Sequence, residues 1–143
     1  MTAITTITHF FQAIIDKNAP KIGTFYVPDE QTYVVLEGPR LTTLGFSKIE
    51  KGWFDFCDSK LTLDSIEWLE GPFSEEEMTM AWVGGVIKLV VSIGKKPFEQ
   101  TFRASFVLKK SKNTEGGWLI RHEHVSGALA DPYGIGDWLK RPS

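Results

Sequence analysis

The hydrophobic pattern changes period twice along the chain. Near the start, Ile4, Ile7, Phe10, Phe11, Ile14 and Ile15 recur at spacings of three and four. That spacing places one apolar stripe on a helix. Ala19-Pro20 ends it, because proline disfavours helical geometry in the residue before it. Ile22, Phe25 and Tyr26 follow as a short helical turn, broken by Pro28-Asp29. "TYVVLEG" (32–38) is β-branched and aromatic and predicts a strand, and "RLTTLG" after Gly38-Pro39 predicts a short strand pairing back on it. Ser47 and Glu50 have the spacing of a capping box, which predicts a helix with Ile49, Trp53, Phe56 and Cys57 on one face and Phe54 beside them.

From Lys60 the period becomes two. Leu61 and Leu63 share one phase, Ile66 and Trp68 the other, and the slip at Asp64-Ser65 predicts a β-bulge. "MTMAWVGGVIKLVVSIG" predicts a long strand bent at Gly84-Gly85, with "SEEEM" as a solvated strand start before it. After a turn at Gly94-Lys95-Lys96, Phe98, Phe102, Phe106 and Leu108 share a phase, and "GGWLIRHEHVSG" (116–127) closes the series. Bulged, bent antiparallel strands curl, and helices must cover part of the concave face. The expected fold is α+β: a cone-shaped curved antiparallel sheet wrapped around about three helices, enclosing a cavity, with residues 1–143 as one domain.

Composition narrows the functions. The 143 residues are 42% hydrophobic and 24% charged with a net charge of −2, which gives no basic excess for nucleic acid. One cysteine, Cys57, excludes an internal disulfide framework and a cysteine-rich zinc site. The N-terminus has no cationic residue before its apolar part, and Met80–Ile93 falls short of the roughly 20 residues a spanning helix needs. The expected setting is cytoplasmic, with no membrane partner.

The element order and the ending "GGWLIRHEHVSG" resemble the nuclear transport factor 2-like superfamily in its SnoaL-like branch. The ending is also similar to that of the calcium/calmodulin-dependent protein kinase II association domain. The resemblance implies a cavity-bearing cone, a homodimer formed through the outer sheet face, and no cofactor. The superfamily includes ketosteroid isomerases, dehydratases, cyclases and non-catalytic binding or assembly domains, so fold does not settle function. The isomerases' aspartate base has no counterpart in phase on the first strand, which offers Tyr33 and Glu37. The association domain's pocket arginines correspond to Val125 and, roughly, Ser105, so its acidic-ligand pocket is not carried over intact.

His122 and His124 lie two apart and share one face of the last strand. They could hold zinc or iron with a third ligand, but no spacing singles one out, and the resemblance implies a structural pair; no metal is expected. Strict alternation puts Trp118 and Ile120 with the histidines, and Arg121, Glu123 and Val125 on the other face beside Arg103. Either that polar face meets water, as the Phe98–Phe102–Phe106 phase favours, or it lines the cavity. The resemblance favours the cavity, because the association domain aims basic pocket residues from this phase, and this inward reading is the working expectation, with a second subunit covering the phenylalanine and histidine face. It makes Arg103 and Arg121 anchors for a carboxylate or phenolate. Glu37 and Glu123 become candidate acid–base groups, and Tyr26, Tyr33 and Trp53 candidate ligand contacts. The roles open on these residues are the binding of a small, partly apolar organic ligand, cofactor-free isomerase, dehydratase or cyclase chemistry, and structural association. Tyr133 and Trp138 in the tail are expected to dock on the subunit.

Overall fold

The structure is a computed structural model that describes residues 1–112 and 117–128; the tail aromatics Tyr133 and Trp138 lie outside them. Helix α1 (Ala3–Ile15) begins at Thr2, whose hydroxyl accepts from the Thr5 N–H at 3.0 Å. Its buried stripe is the predicted one, with Ile7 and Phe10 at its centre. Helix α2 (Ala19–Gly23) follows, with Pro20 in its first turn, where the missing N–H costs nothing. Pro20 therefore marks the start of the second helix as well as the break after the first.

Strand β1 (Tyr33–Leu36) pairs with the two-residue β2 (Thr43–Leu44), as expected for "RLTTLG". Helix α3 (Phe46–Asp58) starts two residues earlier than the capping-box reading. Gly45 is its N-cap and no side chain caps it, so Ser47 and Glu50 do not form the box. The backbone does the work instead: Phe46 N–H donates to the Asp29 carbonyl at 3.0 Å.

Strands β3 (Leu61–Glu76), β4 (Met80–Ile93), β5 (Lys96–Lys110) and β6 (Trp118–Ser126) complete a six-stranded sheet among the described residues, in the order β2-β1-β6-β5-β4-β3. The sheet is mixed rather than wholly antiparallel, because β1 runs parallel to β6. The predicted slip at Asp64 is present as a register shift between Leu63 and Ser65. Two further shifts surround Glu70, and β3 continues beyond Gly71-Pro72 to Glu76. "SEEEM" therefore ends a strand instead of starting one. Glu76 is used there: its carboxylate accepts from the Ala3 N–H at 3.1 Å, a negative group at the positive end of α1.

The glycine pair Gly84-Gly85, where a bend is expected, has a steric role in β4. A Cβ on Gly85 would lie 2.2 Å from the Glu70 carbonyl oxygen and 3.0 Å from the Trp68 ring. The shifted β3 backbone thus presses on β4 where no side chain stands, which curls the sheet. Gly85→Ala should lower stability by about 2 kcal/mol through overpacking, read as a drop in the denaturation midpoint.

The curled sheet closes on α1 and α3. Phe10, Phe106, Val83, Ile120 and Leu108 form the fully buried centre. On β5 the phase containing Phe98, Phe102, Phe106 and Leu108 faces inward, as the apolar count favoured. Arg103, in the opposite phase, is on the outside.

Candidate functional site

The last strand departs from strict alternation. Val107 pairs with His122 while Leu108 pairs with Ile120, so Arg121 is an extra residue, a bulge. The bulge brings Trp118 and Ile120 onto the same inner face as Glu123 and Val125, and leaves His122 and His124 outside. Beside the bulge, the segment after α2 joins the edge of β6: Val27 N–H donates to the Ile120 carbonyl at 2.9 Å, and Ile120 N–H to the Phe25 carbonyl at 2.7 Å. Tyr26 is thereby turned inward, next to Glu123.

Glu123 lies between Val34 on β1 and Phe106 on β5, and both neighbours are buried. The glutamate itself is only 2% exposed. Its Oε1 accepts from the Tyr26 hydroxyl at 2.5 Å, and the Tyr26 oxygen in turn accepts from the Trp53 indole N–H at 3.0 Å. The chain has one polarity. The indole can only donate, so the phenol proton is free to go to the carboxylate. Burial pushes the Glu123 carboxyl up to about 7, against a smaller opposing effect of the Tyr26 hydrogen bond. Burial and the adjoining carboxylate also hold the Tyr26 phenol well above its ordinary value.

Trp53 connects this pair to a cavity of about 760 Å³, partly open to solvent. Its walls are apolar: Phe11 and Ile14 of α1, Ile49, Trp53 and Phe56 of α3, Val34 and Leu36 of β1, and Leu63, Ile66, Ile87, Leu89, Val91, Phe102 and Val125 of the sheet. Polar groups gather at the rim, among them Glu37, Arg40, Thr42, Lys48 and Asp55. The carboxylate of Glu37 accepts from the Gly127 N–H at 2.7 Å. That of Asp55 pairs with Lys51 at 2.9 Å.

Of the residues singled out from sequence, Trp53 and Glu37 line the cavity, while Tyr26 and Glu123 lie behind the Trp53 wall. Three do not belong to it. Tyr33 stacks on the His122 ring on the outer face, centroids 5.5 Å apart. Arg103 donates to Ser126 Oγ at 3.2 Å and to the Gly127 carbonyl at 3.0 Å. Arg121, the bulge residue, grips Asp29 with both terminal nitrogens at 2.6 and 3.0 Å. This bond holds the exposed Asp29 carboxyl near 2. The inward expectation for Arg103 and Arg121 is corrected: without the bulge Arg121 would share a face with Glu123. His122 Nδ1 lies 2.9 Å from the Tyr33 carbonyl oxygen, a local structural bond, and no cluster of metal-ligating groups occurs among the described residues. Sequence reasoning missed Arg40 and Lys48 at the rim; the Gly38-Pro39 turn, which places Arg40 beside the cavity mouth, was the available signal.

Solved structures share this architecture. A nuclear transport factor 2-like superfamily protein of Salmonella enterica superimposes with a TM-score of 0.72 at 21% identity, covering 93% of each chain. A ketosteroid isomerase-like protein of Erwinia carotovora gives 0.71 at 11% identity, covering 88% of this chain and 93% of that one. The chain has the nuclear transport factor 2-like fold. A Xanthomonas campestris protein named as a calcium/calmodulin-dependent protein kinase II association domain has this fold too, with a TM-score of 0.64 at 20% identity over 85% of this chain and 82% of its own. No family model and no curated protein matches the sequence. Within the nuclear transport factor 2-like fold, the concave side of the sheet and α3 make the cavity, and the Arg121 bulge sets which side chains of β6 reach it. No helix among the described residues is long and apolar enough to cross a membrane.

Proposed function

We propose that this chain, as one SnoaL-like domain, binds a small, partly apolar organic ligand in the cone cavity. The observation that carries the reading is the cavity itself. At about 760 Å³, it falls within the roughly 300–1,000 Å³ range of small-molecule sites. Its wall is aliphatic and aromatic, and its polar groups sit where a ligand would enter. Apolar surface left open to water in this way gains free energy when a ligand covers it.

The test uses Nile red, a neutral dye whose emission rises in apolar surroundings. The parent protein should bind it in the micromolar range. Leu89→Trp, which projects an indole into the cavity from β4, should weaken binding by at least tenfold while leaving the fold intact by circular dichroism. Equal binding by both proteins would put the dye elsewhere and refute the reading.

A specific observation favours a second reading, acid–base catalysis. Glu123, at about 7, has the pKa of a group that exchanges protons at neutral pH. Neither Glu123 nor Tyr26 lines the cavity, however, and Trp53 stands between them and a ligand. Binding is therefore the preferred function, with Tyr26 and Glu123 holding the wall in place.

For the outer sheet face the proposed occupant is a second copy of the chain. Trp82, Phe73 and Tyr33 stand on it 41%, 53% and 38% exposed, a grouping of large apolar side chains that a subunit contact would cover. Light scattering should give twice the chain mass; a monomer at micromolar concentration would contradict the proposal.

A further inference from the structure

Resting on the binding reading above, we infer that the ligand is an amphipathic organic anion, its apolar body in the cavity and its anionic head group held at the mouth by Arg40 and Lys48. Both cations line the cavity and also an adjoining pocket of about 460 Å³, which Thr42, Thr43, Leu44 and Lys51 complete. No carboxylate lines that second pocket.

The rim charges divide unequally. Its two carboxylates are already engaged, Glu37 by the Gly127 N–H and Asp55 by Lys51. Its two cations are not: among the described residues, neither Arg40 nor Lys48 makes an ion pair or a side-chain hydrogen bond. Lys51 is held on its own helix by Asp55, which leaves Arg40 and Lys48 as the free donors. The arginine reaches across to α3, where its Nη1 lies 3.9 Å from where a Cβ on Gly52 would stand. With Asp55 offset by Lys51, Arg40 and Lys48 outnumber Glu37, whose N–H partner is neutral, so the rim beside the apolar opening is net positive. A guanidinium adds a planar fork that fits a carboxylate or phosphate edge. An uncharged ligand would leave both donors unused, and a cationic ligand would meet them as like charges.

The probe pair is naphthoate and its uncharged analogue naphthamide, which share an apolar body and differ in head-group charge. Calorimetry on the full chain should show naphthoate binding at least tenfold more tightly. Raising the ionic strength should weaken naphthoate and leave naphthamide unchanged. In Arg40→Gln/Lys48→Gln, naphthamide affinity should persist, which also shows that the variant is folded, while the tenfold advantage of naphthoate is lost. Equal affinities for the two compounds in the parent, or an advantage that survives the double substitution, overturn the anion assignment and leave the cavity reading standing. Absence of binding by both compounds overturns this inference, and a failure of Nile red as well overturns the cavity reading with it.

Discussion

Glu123→Gln should be more stable than the parent protein at pH 8, by about 3 kcal/mol, and close to it at pH 4. In the folded chain the Glu123 carboxyl is pushed from 4.5 to about 7 by burial; each unit of such a difference is worth about 1.4 kcal/mol. The sign follows from proton counts. Between 4.5 and 7 the unfolded chain has released the proton and the folded chain still holds it, so stability falls as pH rises through that window. Above 7 the loss is complete. Glutamine cannot ionise, yet its carbonyl oxygen can still accept from Tyr26, so the variant should lack the fall. Asp29 acts in the opposite direction and elsewhere: its carboxyl, lowered from 3.8 to about 2, contributes stability that is lost only as pH drops through that lower range. Chemical denaturation at several pH values checks the prediction. A parent protein equally stable at pH 5 and pH 8 would contradict a buried, proton-holding Glu123.

Phe10→Ala should cost about 4 kcal/mol, within the usual span for emptying a buried aromatic site. The ring is fully buried, and the rings of Tyr26, Trp53, Phe25 and Phe106 surround it at 5.5, 6.0, 5.7 and 6.1 Å, all edge to face. Such contacts add to simple burial. Two of these rings belong to the hydrogen-bonded chain that ends on Glu123, so the loss should also loosen the cavity wall. Nile red affinity should fall along with the denaturation midpoint. Phe54→Ala is the control: Phe54 is 43% exposed, and its removal should change stability by no more than about 0.5 kcal/mol. Similar effects from the two substitutions would mean that the aromatic cluster around Phe10 does not hold the wall.

Much of this architecture is legible in the sequence because burial follows period. The three-and-four spacing of α1 and the single phase of Phe102, Phe106 and Leu108 both mark faces that are buried in the structure. The slip at Asp64 shows as a change of apolar phase, and the structure has a register shift there. The Arg121 bulge leaves no such trace. It carries neither glycine nor proline, and the residue it turns inward, Glu123, is charged, so apolar counting assigns it to water. Strict alternation therefore grouped Trp118 and Ile120 with the histidines, whereas packing groups them with Glu123. The inward expectation for Arg103 and Arg121 rests on the resemblance, and their partners, Gly127 and Asp29, are not visible in strand periodicity. The parallel pairing of β1 with β6 was equally hidden, because it joins residues some ninety positions apart. The rim cations lie on a loop and in the first turn of α3, where no periodicity shows which way a side chain faces.

The central claim is that the interior of the cone receives an apolar body. Nuclear Overhauser contacts between uncharged naphthamide and the protein's methyl groups test it most directly, since they locate the bound ligand. The account predicts contacts with the methyls of Leu36, Ile87, Leu89 and Val91, which line the cavity. Contacts confined to Val86 and Val107 on the outer face of the sheet would contradict it.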